Sequence, residues 1–292
     1  MADKIPLLVT GANGLVGSKF TELFSDKYSF DILELSDPLA PVDITDLEAV
    51  KHRFEASGAK VCIHFAAFTN VTAAWEQRGD KSGLTYKVNV TGTENISQAA
   101  AQKNVHVIHL STAYVFDGEN KETYVESDKM NPIEWYGETK ARAEDVFSAA
   151  THPWTILRID QPFRSNPFSR LDIAHAFMAK IKANEARLFT NHYFGPTYID
   201  DLARVIDFSI SEKLTGLFHA TAGEKWGDFE LGTAIKNIFN LSGEIQPSDL
   251  DEYLKTVNRP YQRNTALNTD KLTNILPFKL KTVEEALAEL IF

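Results

Sequence analysis

Residues 5–17 read Ile5-Pro6-Leu7-Leu8-Val9-Thr10-Gly11-Ala12-Asn13-Gly14-Leu15-Val16-Gly17, an apolar run that breaks directly into a turn holding three glycines. The run has no polar alternation, so it reads as a strand buried on both faces. Glycines at 11, 14 and 17 let the turn close tightly and let backbone approach a pyrophosphate, while Gly17 lets the next helix lie against the strand. A helix expected over about residues 18–25 then offers free N–H groups to negative charge at its start. The spacing is GxxGxxG, with Asn13 and Val16 standing where the GxGxxG fingerprint needs glycine. Asn13, Leu15 and Val16 join the three glycines as candidate contacts of a dinucleotide. A bare structural turn is the bland alternative, and the strand–turn–helix context argues against it.

Working outward, short apolar runs keep alternating with helical patterns. Strands are expected at 30–35, 61–65, 105–110 and 154–159. Helices are expected at about 46–55, 82–102 and 138–150, the first capped by Thr45 or Asp46. That order implies a doubly wound α/β fold, a parallel sheet with helices on both faces. After Arg158 the pattern loosens. The segment 161–170, with Pro162 and Pro167, is the best boundary, dividing a nucleotide-binding domain (1–160) from a smaller C-terminal α/β lobe (161–292). Part of that lobe, about 196–217, is expected to return to the first domain. Helices at 173–184, 200–211, 229–240 and 283–291 and a strand at 187–190 complete the reading.

The 292 residues are 43% hydrophobic and 24% charged, an ordinary globular balance that excludes wholesale disorder. The single cysteine, Cys62, excludes an intrachain disulfide framework and suits a reducing cytosol, so a cytoplasmic protein is expected. No apolar stretch approaches the roughly 18–20 residues that span a bilayer, and the first residues lack the run a signal peptide needs. The formal charge is −10, which supplies no basic field for nucleic acid or an anionic membrane.

Chemistry concentrates at a few positions. Glu34, about 20 residues past the turn, is placed to accept from a ribose 2′-OH and to repel a 2′-phosphate, favouring NAD over NADP. Asp31 and Asp37 are its rivals. Asp43 followed by Ile44 suits an adenine, the carboxylate taking the amino group while the side chain packs on the ring. Ser111 and Thr112 follow a buried strand, and Tyr136 and Lys140 lie four apart on a helix face. A phenol with a pKa near 10 is a poor acid–base group at neutral pH, and a nearby ammonium favours its phenolate. His106 and His109 alternate across a strand, and Cys62 with His64 lacks a third ligand, so no metal is expected.

These segments together resemble the extended short-chain dehydrogenase/reductases, and most of all their dTDP-4-dehydrorhamnose reductase branch. The resemblance is carried by Thr10 to Gly17, Asp43-Ile44, Ala66-Ala67, Asn89 to Thr93, Ser111 to Gly118 (STAYVFDG) and Tyr136 to Lys140 (YGETK). Later matches include Arg158, Phe194 to Thr197 and Arg259-Pro260, so it covers almost the whole chain. It implies a Rossmann-type domain binding NAD or NADP, with Ala66 and Ala67 on the cofactor and a C-terminal lobe binding a nucleotide-sugar. It implies that Tyr136 protonates a ketone receiving hydride, that Lys140 lowers the Tyr pKa and holds the nicotinamide ribose, and that Thr112 polarises the carbonyl. It also allows a homodimer.

Thr69, Val71, Ala113 and Gln161 are the expected substrate contacts, and departures from the branch gather on that side. Its usual Asp and Glu after Ala66-Ala67 are Thr72 and Trp75 here, its STDYVFDG has Ala113 for Asp, and its Arg-Thr-Ser-Trp is Arg158-Ile159-Asp160-Gln161. The expected activity is reduction of a 4-keto nucleotide-sugar. Two alternatives stand beside it: an epimerase of the same superfamily, and a non-catalytic nucleotide-binding subunit of the kind that regulates methionine adenosyltransferase.

Overall fold

The glycine turn joins strand β1 (Ile5–Thr10) to helix α1 (Leu15–Leu23). These elements belong to a computed structural model that describes residues 4–37, 40–120 and 122–291. Next come β2 (Tyr28–Leu33), α2 (Leu47–Ala56), β3 (Val61–His64) and α3 (Val71–Glu76). A short α4 (Leu84–Tyr86) runs through a π-helical turn, Lys87–Thr91, into α5 (Gly92–Lys103). Then follow β4 (His106–Thr112), α6 (Trp135–Ser148), β5 (Trp154–Ile159) and β6 (Pro162–Phe163). The rest includes α7 (Ile173–Lys182), β7 (Ala186–Phe189), β8 (Tyr193–Phe194) and β9 (Thr197–Tyr198). Beyond these lie α8 (Ile199–Ser211), β10 (Gly216–His219) and α9 (Asp228–Ile238).

Six strands form one parallel sheet in the order β2-β1-β3-β4-β5-β10. The register pairs Thr10 with both Leu33 and His64, and Thr112 with Ile159, so these strand ends share one edge. The period of two along each strand splits the core between the two faces. Leu7, Val9, Ile63 and Leu157 pack against Phe20 of α1 and Ile199 and Ile206 of α8. Leu8, Cys62, Val107 and Ile156 pack on the other side, against Val50, Phe54, Ile96 and Phe147. Each fully buried side chain of this kind contributes about 1.5–3 kcal/mol. A second cluster, with Phe163, Phe177, Leu188, Phe194, Trp226, Leu231 and Leu287, holds α7, β7, β8 and α9 together.

Several elements differ from the sequence reading for identifiable reasons. Helix α1 begins three residues before the expected Ser18, because Gly14 is its N-cap and Gly17 lies inside it. Strand β2 begins and ends two residues early, leaving Glu34 in the bend beyond it. Helix α6 begins at Trp135 rather than 138, because Glu134 caps it. Neither the sixth strand, β10, nor α3 was expected, since runs of four and six residues carry too little periodicity. The last helix is regular only over Val283–Leu287. Among the described residues no helix is long and apolar enough to cross a membrane.

Candidate active site

The strand edge opens on a cavity of about 910 Å³, and the glycine turn forms one part of its wall. Gly11 sits at φ +67°, where a Cβ would stand 2.6 Å from the Ala66 nitrogen. A Cβ on Gly17 would lie 2.2 Å from the Gly11 carbonyl oxygen. Neither position tolerates a side chain, and the bare backbone brings the N-terminus of α1 to the cavity. Gly14, Leu15 and Val16 line it as well. Asn13 is absent from the wall and works from behind. Its backbone N–H and side-chain Nδ2 donate to Glu34 at 3.0 and 2.7 Å, and Ser36 Oγ donates to the same carboxylate at 2.8 Å. Glu34, Asp43 and Ile44 all face the cavity.

Ala66 and Ala67 follow β3 onto the wall, and buried hydrogen bonds fix their position. Thr10 Oγ1 accepts from the Ala66 N–H at 3.1 Å and pairs with His64 Nδ1 at 2.7 Å. His64 Nε2 meets Thr93 Oγ1 at 3.0 Å, and that hydroxyl donates to the Asn89 carbonyl at 2.8 Å. Burial, assisted by the Lys140 charge, lowers the His64 pKa to about 3 and keeps the ring neutral. The Asn89 side chain accepts from Phe68 N at 2.7 Å and donates to Thr139 Oγ1 at 3.0 Å, tying the loop after β3 to α6.

Thr112, Tyr136 and Lys140 all line the same cavity. The Lys140 ammonium donates to the Leu110 carbonyl at 2.7 Å and meets His109 Nε2 at 3.0 Å. Burial without a facing carboxylate lowers its pKa to about 7, while the more distant Glu144 pulls it upward. The expectation that this ammonium lowers the Tyr136 pKa is not met in this arrangement. Burial pushes the phenol well above its ordinary value, Glu134 and Asp160 push it further, and the Thr112 hydroxyl and Arg170 act the other way. Tyr136 is therefore held as the protonated phenol, the form that donates.

Three carboxylates near this centre went unassigned in the sequence. Glu134 caps α6, each oxygen taking one N–H: Gly137 at 2.6 Å and Tyr136 at 2.8 Å. Burial nevertheless raises its pKa to about 7. Asp160, just past β5, accepts from Thr265 Oγ1 and the Gly195 N–H through one oxygen, while its other oxygen is buried without a partner. Burial raises its pKa to about 7. Glu144 takes the Ser111 hydroxyl at 2.5 Å and the Arg158 guanidinium at 2.7 Å, so Ser111 is spent on structure.

On the remaining wall stand Thr69, Val71, Gln161 and Tyr114. Gln161 adopts φ +34° and its amide donates to Tyr114 Oη at 3.3 Å. Arg170, from the loop between β6 and α7, donates to Thr69 Oγ1 at 3.2 Å. Ala113 is the exception among the expected substrate contacts. It is 0% exposed and packs with Val115, Phe116, Tyr124 and Leu267, because the 3₁₀ turn after Thr112 points its methyl inward. Asp160 and Tyr114 could have been found from their places just past buried strands. Arg170 has no such signal, since its loop has no periodicity. Among the described residues no cluster of His, Cys, Asp and Glu is arranged to hold a metal ion.

The sequence model of a family described as the RmlD substrate binding domain matches residues 5–292. A dTDP-4-dehydrorhamnose reductase of Aggregatibacter actinomycetemcomitans is 31% identical over 239 residues, spanning 77% of this chain and 76% of that protein. The methionine adenosyltransferase 2 subunit beta of Rattus norvegicus is 26% identical, over 92% of this chain and 82% of its own length. The crystal structure of a dTDP-4-dehydrorhamnose reductase from Clostridium acetobutylicum superposes with a TM-score of 0.87 at 27% identity, covering 98% of each chain.

Proposed function

The chain belongs to the RmlD substrate-binding domain family, and from that premise we propose that it reduces the ketone of a nucleotide-sugar at the expense of NAD(P)H. The observation that carries this reading is the single cavity on which the glycine turn, Glu34, Thr112, Tyr136 and Lys140 meet. The glycine turn and the start of α1 suit a pyrophosphate, Glu34 an adenosine ribose, and Asp43 with Ile44 an adenine. NAD(P)H supplies the hydride when bound.

The residues of the chain do the rest. Tyr136, kept as the phenol by burial and by Glu134, donates its proton to the oxygen of the ketone as hydride reaches the carbon. Thr112 donates a hydrogen bond to that oxygen and stabilises the developing charge. Lys140, with a pKa lowered to about 7 by burial, is able to exchange a proton at neutral pH and to hold a ribose hydroxyl. The lobe built on the second hydrophobic cluster supplies the sugar side through Gln161 and Arg170. NAD is the favoured cofactor, because Glu34 opposes a 2′-phosphate.

An epimerase uses similar groups, and UDP-glucose 4-epimerase structures share this fold with a TM-score of 0.80 at 21% identity or less. The reductase reading is favoured because the relatives of higher identity include proteins named dTDP-4-dehydrorhamnose reductase. The regulatory-subunit reading is separated by Tyr136→Phe, which removes one hydroxyl and keeps the ring. The rate of keto-sugar reduction should fall by about 10²–10⁴-fold, the worth of a positioned general acid. Thermal stability and cofactor affinity should hold. Unchanged turnover would end the mechanism.

A further inference from the structure

A nucleotide-sugar brings two phosphates to a protein whose formal charge is −10. The cavity wall is no better supplied. It carries Glu34, Asp43, Asp160 and Asp172 against two cations, Lys140 and Arg170. Lys140 is committed below the sheet edge, to the Leu110 carbonyl and His109. Arg259 lies near Glu134 and Tyr114, but its guanidinium stacks on Tyr261 at 3.7 Å and it does not line the cavity.

Arg170 differs from both. Among the described residues its guanidinium makes one hydrogen bond, to the neutral Thr69, and no ion pair. It lines the cavity while itself solvent-exposed, beside exposed Leu171 on the loop leading to α7. That bond crosses from the loop after β3 to the loop before α7, joining two parts of the cavity wall. A guanidinium with four of its five N–H groups unused is matched in shape to two phosphate oxygens at once.

We propose that Arg170 is the phosphate anchor of the substrate, exchanging its hydrogen bond with Thr69 for the diphosphate of the nucleotide-sugar. The inference rests on the reductase reading for its choice of ligand, and it names the residue that recognises the charged half of that ligand. Phosphates also arrive with the cofactor, but those have the glycine turn and the N-terminus of α1. Arg170 sits instead within electrostatic reach of Tyr136, at the reacting end.

The test is calorimetric titration of UDP, dTDP and GDP, and separately of NADH and NADPH, into wild type, Arg170→Gln and Arg170→Lys. Arg170→Gln should weaken the tightest nucleoside diphosphate by about tenfold or more, the lower end for a charge-assisted bond because the site is solvent-facing. Arg170→Lys should recover part of the loss, since it keeps the charge without the fork. Both reduced cofactors should bind as before. Equal diphosphate affinity in wild type and Arg170→Gln overturns the anchor, as does wild type that binds none of the three. A loss confined to NADPH also overturns it and assigns Arg170 to the cofactor. Arg170-dependent diphosphate binding in a protein that reduces no keto-sugar would leave the anchor standing and remove the reductase reading instead.

Discussion

Replacing Glu34 should erase the preference for NAD proposed above, and the structure sets the size of the change. A carboxylate offers about four acceptor positions. Three are taken here, by Asn13 N, Asn13 Nδ2 and Ser36 Oγ, which leaves one for a ribose hydroxyl. One charge-assisted hydrogen bond contributes about 1.5–3 kcal/mol. A 2′-phosphate in its place would bring a charge of about −1.5 to −2 to within roughly 5 Å. Because Glu34 is only half-buried, the dielectric is close to that of water, and the repulsion is about 1–2 kcal/mol. The two effects together, about 2.5–5 kcal/mol, would favour NADH over NADPH by roughly 10²-fold to several times 10³-fold. Glu34→Ala should remove both and bring the ratio close to one. Glu34→Gln should keep the acceptor, lose the repulsion and fall between. Nicotinamide fluorescence titrations of both cofactors at one ionic strength measure all six constants. A wild-type ratio near one that neither substitution moves would refute the argument.

Two further outcomes concern the buried charges. Asp160 has a folded-state pKa of about 7, above its ordinary value, so the folded protein keeps a proton that the unfolded chain releases. Stability should therefore fall as pH rises from about 4 to 7, by at most roughly 4 kcal/mol from this residue. Asp160→Asn should flatten that part of the pH dependence of Tm, and an undiminished slope would contradict the assignment. Glu144→Gln leaves the buried Arg158 guanidinium without its counter-charge and should cost about 3–5 kcal/mol in urea unfolding. A loss below about 1 kcal/mol would mean that the pair is solvated.

What was legible in the sequence had strong local physics behind it. The short, mostly apolar runs of β1, β3 and β5 read as buried strands, and Thr45 or Asp46 before an amphipathic run reads as a cap, which the structure assigns to Asp46. Likewise, Tyr136 and Lys140 reach the cavity together because their spacing matches the helical turn. The rest depended on contacts between distant residues. Nothing near Lys140 says that His109, 31 positions earlier, will hold its ammonium. Nothing near Ala113 says that its methyl will turn toward Leu267. Arg170 meets Thr69 across 101 positions, a meeting that no local pattern encodes.

The π-helical turn at Lys87–Thr91 has a consequence for how this site could have arisen and how it could be lost. Such a turn amounts to one extra residue wound into a helix. Deleting it would let α4 and α5 run on as one plain helix, but each residue on one side would rotate by about 100° relative to the other. Asn89 could then no longer reach both Phe68 and Thr139, and the loop that carries Ala66 and Ala67 would be cut loose from α6. No exchange of one amino acid for another restores that geometry. The two bonds of Asn89 are open to point mutation, but the winding that aims them is a matter of chain length, open only to insertion and deletion, so a library of single substitutions would test the bonds and never the winding.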